Sequence, residues 1–250
     1  MLRVNTYIKI LSIACCMLIS ACVTRPLNTP FMSNIKLSKF FEGTSLEMAE
    51  AIRGSDTVRV KELSQQLDLN RIYIEDITFL ELAMAEGKKA SAAALLDEGA
   101  DPTLVAGDGN AAYLVSKAEP AWLKLFLDHG LDPNAVSAHS RPILSGAAGA
   151  SEEHSLPNVK LLLEYGADIN KPAKYTKIPP VFEALFSYRH KTVIYLIERG
   201  ANLDFTTSTG KTMTDGMEYY LNKGLPKDGQ FYKDLLIIKK MMEDRGYKFN

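Results

Sequence analysis

Leu95-Leu96-Asp97-Glu98-Gly99-Ala100-Asp101-Pro102 recurs three more times in the chain. The copies are Phe126-Leu127-Asp128-His129-Gly130-Leu131-Asp132-Pro133, Leu162-Leu163-Glu164-Tyr165-Gly166-Ala167-Asp168-Ile169 and Leu196-Ile197-Glu198-Arg199-Gly200-Ala201-Asn202-Leu203. The marker glycines Gly99, Gly130, Gly166 and Gly200 follow one another at 31, 36 and 34 residues. A period of this length marks supersecondary units that bury their apolar faces by stacking on one another. Before each glycine the apolar residues fall at helical spacing, as in Val159, Leu162 and Leu163. The glycine itself can take the left-handed conformation that closes a helix. Pro102 and Pro133 cannot continue a helix and carry no N–H, so the chain leaves each of these ends as an extended loop.

The upstream halves carry the matching helix openings Thr78-Phe79-Leu80, Arg141-Pro142-Ile143, Pro179-Pro180-Val181 and Thr212-Met213-Thr214. The most regular copy runs from Thr78-Phe79-Leu80-Glu81 through Ala83 and Gly87 to Gly99-Ala100-Asp101-Pro102-Thr103. Period, helix pair and Gly-Ala-Asp ending together resemble the ankyrin repeat. In that family a Thr-Pro-Leu-His tetrapeptide opens the first helix, threonine as cap and proline at the first helical position. Here only Pro142 and Pro180 keep the proline, and no histidine survives in place. The resemblance implies an all-α ankyrin-repeat solenoid of helix pairs with hairpin-like loops over residues 45–250. The repeats are expected at about 45–70, 71–103, 104–134, 135–170, 171–204 and 205–250. The first has Ala51, Val58, Val60 and Leu63 at apolar positions and Leu67-Asp68-Leu69-Asn70 as its ending. The last must hold an insertion, roughly Leu221 to Tyr232. Asp215, Lys239, Lys240, Glu243, Asp244, Arg245 and Lys248 are expected to give it the polar outer face of a terminal cap.

All three cysteines, Cys15, Cys16 and Cys22, lie ahead of the repeats, which excludes a disulfide framework or thiolate metal cage in the repeat region. Arg3 and Lys9 precede or enter a short apolar run over Ile8 to Ile19 that ends in small residues. A membrane-spanning helix needs roughly 20 apolar residues, so the run reads as a secretion signal. Ile19-Ser20-Ala21-Cys22 resembles the lipobox of bacterial lipoproteins. That resemblance implies a signal peptide at 1–21, lipid on Cys22 and a tether over 22–44, with the membrane as a partner through the lipid. Val23 after the cysteine implies an outer-membrane protein facing the periplasm.

The formal net charge of −1 gives no basic excess for nucleic acid, so no nucleic-acid partner is expected. Thr209-Gly210-Lys211-Thr212 resembles the end of a phosphate loop, but Phe205 stands where the first glycine would be, and the segment reads as a hairpin tip and helix cap. His139, Glu152, Glu153 and His154 do not match metal-ligand spacing, and Glu152 to His154 are expected in a solvated loop between two helices. Ser145-Gly146 lacks a nucleophile elbow. The expectation is a protein that is not an enzyme and takes no cofactor or metal.

In ankyrin repeats the inter-repeat tips and first-helix faces bind protein partners, and Tyr73, Tyr175 and Phe205 fall in such tips. Each is read either as an exposed contact or as packing on its own repeat. Glu75, Asp108, Lys174 and Lys177, with His139, complete the expected partner-binding set. Trp122 is expected in the core. The combination of lipobox and repeats resembles type VI secretion immunity lipoproteins. It implies a periplasmic protein that neutralises a secreted antibacterial effector, such as a phospholipase. The alternative is an envelope scaffold or stabiliser of a periplasmic enzyme.

Overall fold

A computed structural model of the chain describes residues 35–107 and 109–249; Cys22, the expected signal, the part of the expected tether upstream of 35, and Asp108 lie outside the described residues. The marker glycines decide where helices stop. Gly99, Gly130, Gly166 and Gly200 have φ of +94°, +89°, +92° and +89°. The reversal lets Ala100, Ala167 and Ala201 each donate a backbone N–H to Leu95, Leu162 and Leu196, at 2.9 Å in every case. This closes carbonyls that a helix end would otherwise leave open.

The described residues form twelve α-helices in six pairs: α1 (Gly43–Gly54) and α2 (Thr57–Ser64), α3 (Phe79–Ala85) and α4 (Lys89–Asp97), α5 (Ala111–Lys117) and α6 (Pro120–Asp128), α7 (Ile143–Ala148) and α8 (Glu152–Glu164), α9 (Pro180–Phe186) and α10 (His190–Glu198), α11 (Met213–Leu221) and α12 (Gln230–Glu243). No strands occur among the described residues, only two isolated β-bridges at Ala106–Gly109 and Val136–Pro142. This is the fold class expected from the sequence: all-α, helix pairs joined by hairpin-like loops.

The chain divides into two compact units, one running to Leu114 with Asp128–Leu131, the other comprising Val115–Leu127 and Asp132 onward. In the first, α1 packs on α3 and α2 on α4, so first helices meet first helices and second meet second. Met48, Ile52, Leu63, Phe79, Leu82 and Leu95 fill its core. In the second unit α7, α9 and α11 form one row and α8, α10 and α12 the other. Trp122 is buried there beside Phe126, at 6.5 Å between ring centroids, as expected for a core residue.

The helix openings show what the altered tetrapeptides do. Thr78 and Thr212 cap α3 and α11, and the residue three places on, Glu81 or Asp215, bonds back to the capping N–H. A carboxylate thus stands at the place where the family has histidine and completes a capping box. Pro180 occupies the first turn of α9, while Pro142 sits at the cap position of α7.

Several local expectations change. The fold begins before residue 45, because Leu37 and Phe41 are buried against it. Val58, expected as an apolar core position, is 68% exposed; the buried face of α2 carries Val60 and Leu63 instead. Glu152 to His154 are the first turn of α8 and not a loop. Two carboxylates at a helix N-terminus suit its dipole, and Pro157, in the second turn, removes only one helical hydrogen bond. At the C-terminal end α12 already includes Gln230 to Tyr232, leaving 222–229 as the inserted loop. The terminal face is less polar than expected: Leu236 and Ile237 are exposed, Asp215 is spent on capping, and the Arg245 guanidinium donates to the Ile197 and Ala201 carbonyls at the end of α10.

Candidate protein-binding tips

Each tip is held by its own short-range bonds and by a ladder of side chains. Asp68, Asp101, Asp132 and Asp168 each accept a hydrogen bond from the backbone N–H two residues on. These Asx turns explain why aspartate follows the marker glycine. After Asp68, Asp132 and Asp168 the asparagine two places further on then reaches the next repeat. Asn70 accepts from Asp101 N–H at 2.7 Å, Asn134 from Asp168 N–H at 2.8 Å, and Asn170 from Asn202 N–H at 2.8 Å. Sequence reading missed this ladder, although its signal, Asp-x-Asn at Asp68–Asn70, Asp132–Asn134 and Asp168–Asn170, was present.

In the second unit three successive tips are tied together. The Ser137–Arg141 tip closes by Ser137 N–H to Arg141 O, the Ala173–Ile178 tip by Ala173 N–H to Ile178 O, and the Thr207–Lys211 tip by Thr207 N–H to Lys211 O. Lys174 N–H donates to Ser140 O at 3.2 Å, and Ser208 N–H to Thr176 O at 2.9 Å, so the tips form one continuous row. The row brings His139, Lys174, Tyr175 and Lys177 together, all exposed. Tyr175 is 67% exposed, with the Lys174 ammonium 5.5 Å from its ring centroid. The reading of Thr209–Thr212 as tip and cap holds: Gly210 is left-handed at φ +78° and Thr212 caps α11.

The other two expected aromatics are packing residues. Tyr73 wedges between Phe41 and Phe79, with ring centroids 4.9 and 4.8 Å away, and burial pushes its hydroxyl up from the ordinary value. Phe205 lies edge-on to Phe182 at 5.0 Å, half-buried. At the first unit's tip the outward residues are Ile72 and Ile74, at 41% and 62% exposure, flanking Tyr73. Glu75 is half-buried with a left-handed φ of +63°. A cleft of about 450 Å³ opens there, lined by Phe40, Phe41, Leu67, Arg71, Tyr73 and Ile74 among others.

A second exposed aromatic group, unforeseen in the sequence, flanks the α9–α10 turn. Phe186, Tyr188 and Tyr219 are 42%, 39% and 56% exposed. Tyr188 is held at φ +61°, a conformation that a bulky side chain rarely adopts. Its hydroxyl is bonded to Lys223 Nζ at 2.6 Å, a bond that raises the lysine's pKa. The same ammonium lies between 5.2 and 5.6 Å from the ring centroids of Tyr188, Tyr219 and Tyr220. Burial pushes the Tyr220 hydroxyl up to about 12. The Phe186-Ser187-Tyr188 and Tyr219-Tyr220 pairs were its only sequence signal.

Among the described residues no group of three or more His, Cys, Asp or Glu side chains is arranged to hold a metal. His154 instead lies with Nδ1 3.3 Å from the Lys117 carbonyl oxygen. No described helix is long and apolar enough to cross a membrane.

The helix pairs, left-handed stops and joined tips define an ankyrin-repeat fold, and stacked repeats of this kind serve as protein-binding modules. No protein-family model and no curated protein matches the chain. Among solved structures it is similar to an ankyrin-repeat protein, EF0377, at 26% identity and a TM-score of 0.60, covering 81% of this chain and 97% of that one. The ankyrin-repeat domain of Bcl-3 matches at 22% identity and a TM-score of 0.64, covering 80% and 86%, a likeness of fold alone.

Proposed function

We propose that this protein is a lipid-anchored, protein-binding module of the bacterial envelope that acts as an immunity protein, occluding a secreted antibacterial effector in the periplasm. The observation that carries the binding role is the row of joined tips around Tyr175. It offers an exposed aromatic side chain on a backbone already fixed by hydrogen bonds, so little ordering cost opposes association. The envelope location is supported by Ile19-Ser20-Ala21-Cys22 and the short apolar run before it. Several acyl chains together anchor a protein stably, at about 0.8 kcal/mol per buried CH₂.

The test is binding between the purified protein and the product of an adjacent effector-like gene, with growth of a deletion strain as the companion measurement. Immunity requires a stable complex and harm to the deletion strain only when the effector is present. Harm to that strain grown alone, without a complex, would replace immunity by stabilisation of a resident enzyme. Palmitate labelling checks the anchor: label is expected on the wild type and absent from Cys22→Ala, and equal label in both would remove the lipid.

A further inference from the structure

We infer that the joined tips of the second unit form a basic docking ridge for a carboxylate-rich face of a protein partner, anchored by Tyr175. This rests on the protein-binding reading above and specifies the chemistry of its partner. The chain as a whole is slightly acidic, at −1, yet residues 137–141, 172–178 and 205–212 contain no aspartate or glutamate and contribute Arg141, Lys174, Lys177 and Lys211. Arg141 is already paired with Glu183 at 2.7 Å. The three lysines are exposed and make no ion pair among the described residues.

The two acidic groups that flank the last tip in sequence are each bonded to a neutral donor. Asp215 is bonded to the N–H and hydroxyl of Thr212, and Asp204 accepts from the Tyr247 hydroxyl at 2.7 Å. Lys174 and Lys177 on the Tyr175 tip, and Lys211 on the next tip, where it faces the charge of Asp215, are held on a single row, because Lys174 N–H and Ser208 N–H bond neighbouring tips. The charge has the opposite sign at the first unit's tip, where Glu75 and Asp76 follow Ile74. Complementary charge steers encounter and fixes register, while an aromatic anchor supplies contact area. Three lysines fall well short of the 6–10 phosphate contacts that a duplex-binding protein makes, which favours carboxylates on a protein over a nucleic acid.

The experiment places the photoreactive residue benzoylphenylalanine at position 175 of the full-length protein in its own cells, with positions 72 and 219 as comparison sites. A crosslink from 175 to a protein is expected, its attached peptide rich in aspartate or glutamate. The yield should fall about tenfold in the combined Lys174→Glu, Lys177→Glu, Lys211→Glu variant, and should survive when the same lysines become arginine. An unchanged thermal midpoint in both variants shows that folding is intact. Crosslinks from 72 or 219 alone would overturn the ridge and leave protein binding standing. No crosslink from any site would overturn both. A product from 175 that is lipid or nucleic acid, or a protein whose capture ignores the charge reversal, would also overturn the ridge.

Discussion

Glu81 shows how one substitution in a helix opening gains a titration. It accepts from the Thr78 N–H at 3.1 Å and from the Thr78 hydroxyl at 3.2 Å, both of which favour the carboxylate. Burial outweighs them and raises its pKa from 4.5 to about 7. The folded state therefore holds the proton more tightly than the unfolded chain. Its stabilising contribution is full below pH 4.5 and is lost as pH rises through about 7. Glu81→Gln should flatten that decline and raise stability above neutrality by roughly 1–3 kcal/mol, read as denaturant midpoints across pH. A wild-type midpoint that does not fall over this range would refute the assignment. The position was legible as a helix opening, but its pKa was not, since burial belongs to the neighbouring helices and leaves no mark on the tetrapeptide.

Contacts between elements set two further expectations. Gly216 lies inside α11, where a Cβ would come within 2.5 Å of Phe182 Cε2 and 3.0 Å of Leu185 Cδ2 on α9. Alanine there gains about 1 kcal/mol of helix propensity, while overpacking costs about 1–3 kcal/mol. Gly216→Ala should thus lower the denaturant midpoint, and Phe182→Leu beside it should recover part of the loss; a stabilised single variant would show that α9 and α11 are not in this contact. The asparagine ladder is more exposed and its effect smaller. Asn134→Ala removes one acceptor to Asp168 N–H and one donor to the Gly166 carbonyl, at 2.8 and 3.3 Å. Stability should drop by about 1 kcal/mol, with Asn134→Asp in between because it keeps only the acceptor. Equal midpoints for all three proteins would make the ladder a bystander. Repeat spacing and helix ends were legible because Gly and Asp act locally. The partner choices of Tyr73 and Phe205 were not, since an aromatic residue in a tip reads the same whether it faces water or, like these, lies against Phe79 or Phe182.

At the scale of the molecule, repeats contact only their neighbours, so each end must close the unit it terminates. The sequence marked the last repeat as irregular and polar, but not how it is attached. That attachment is α12, whose Leu235, Ile238 and Met242 are fully buried in a helix that packs on α10. Its Asp234 meets His190 Nε2 at 2.8 Å, and Arg245 just beyond it closes the carbonyls of Ile197 and Ala201. Burying three such side chains contributes about 5–9 kcal/mol, comparable with the total stability of about 5–15 kcal/mol typical of a domain. A chain ending at Lys223 should therefore lose cooperative unfolding in its second unit, seen as a broadened melt and as rapid amide exchange over α10 and α11. The single change Ile238→Asp should reproduce this in the full chain, by placing a charge against α10. If the shortened chain kept the full melt, α12 would be an appendage, and the end of the repeat array would have to be sought at α11.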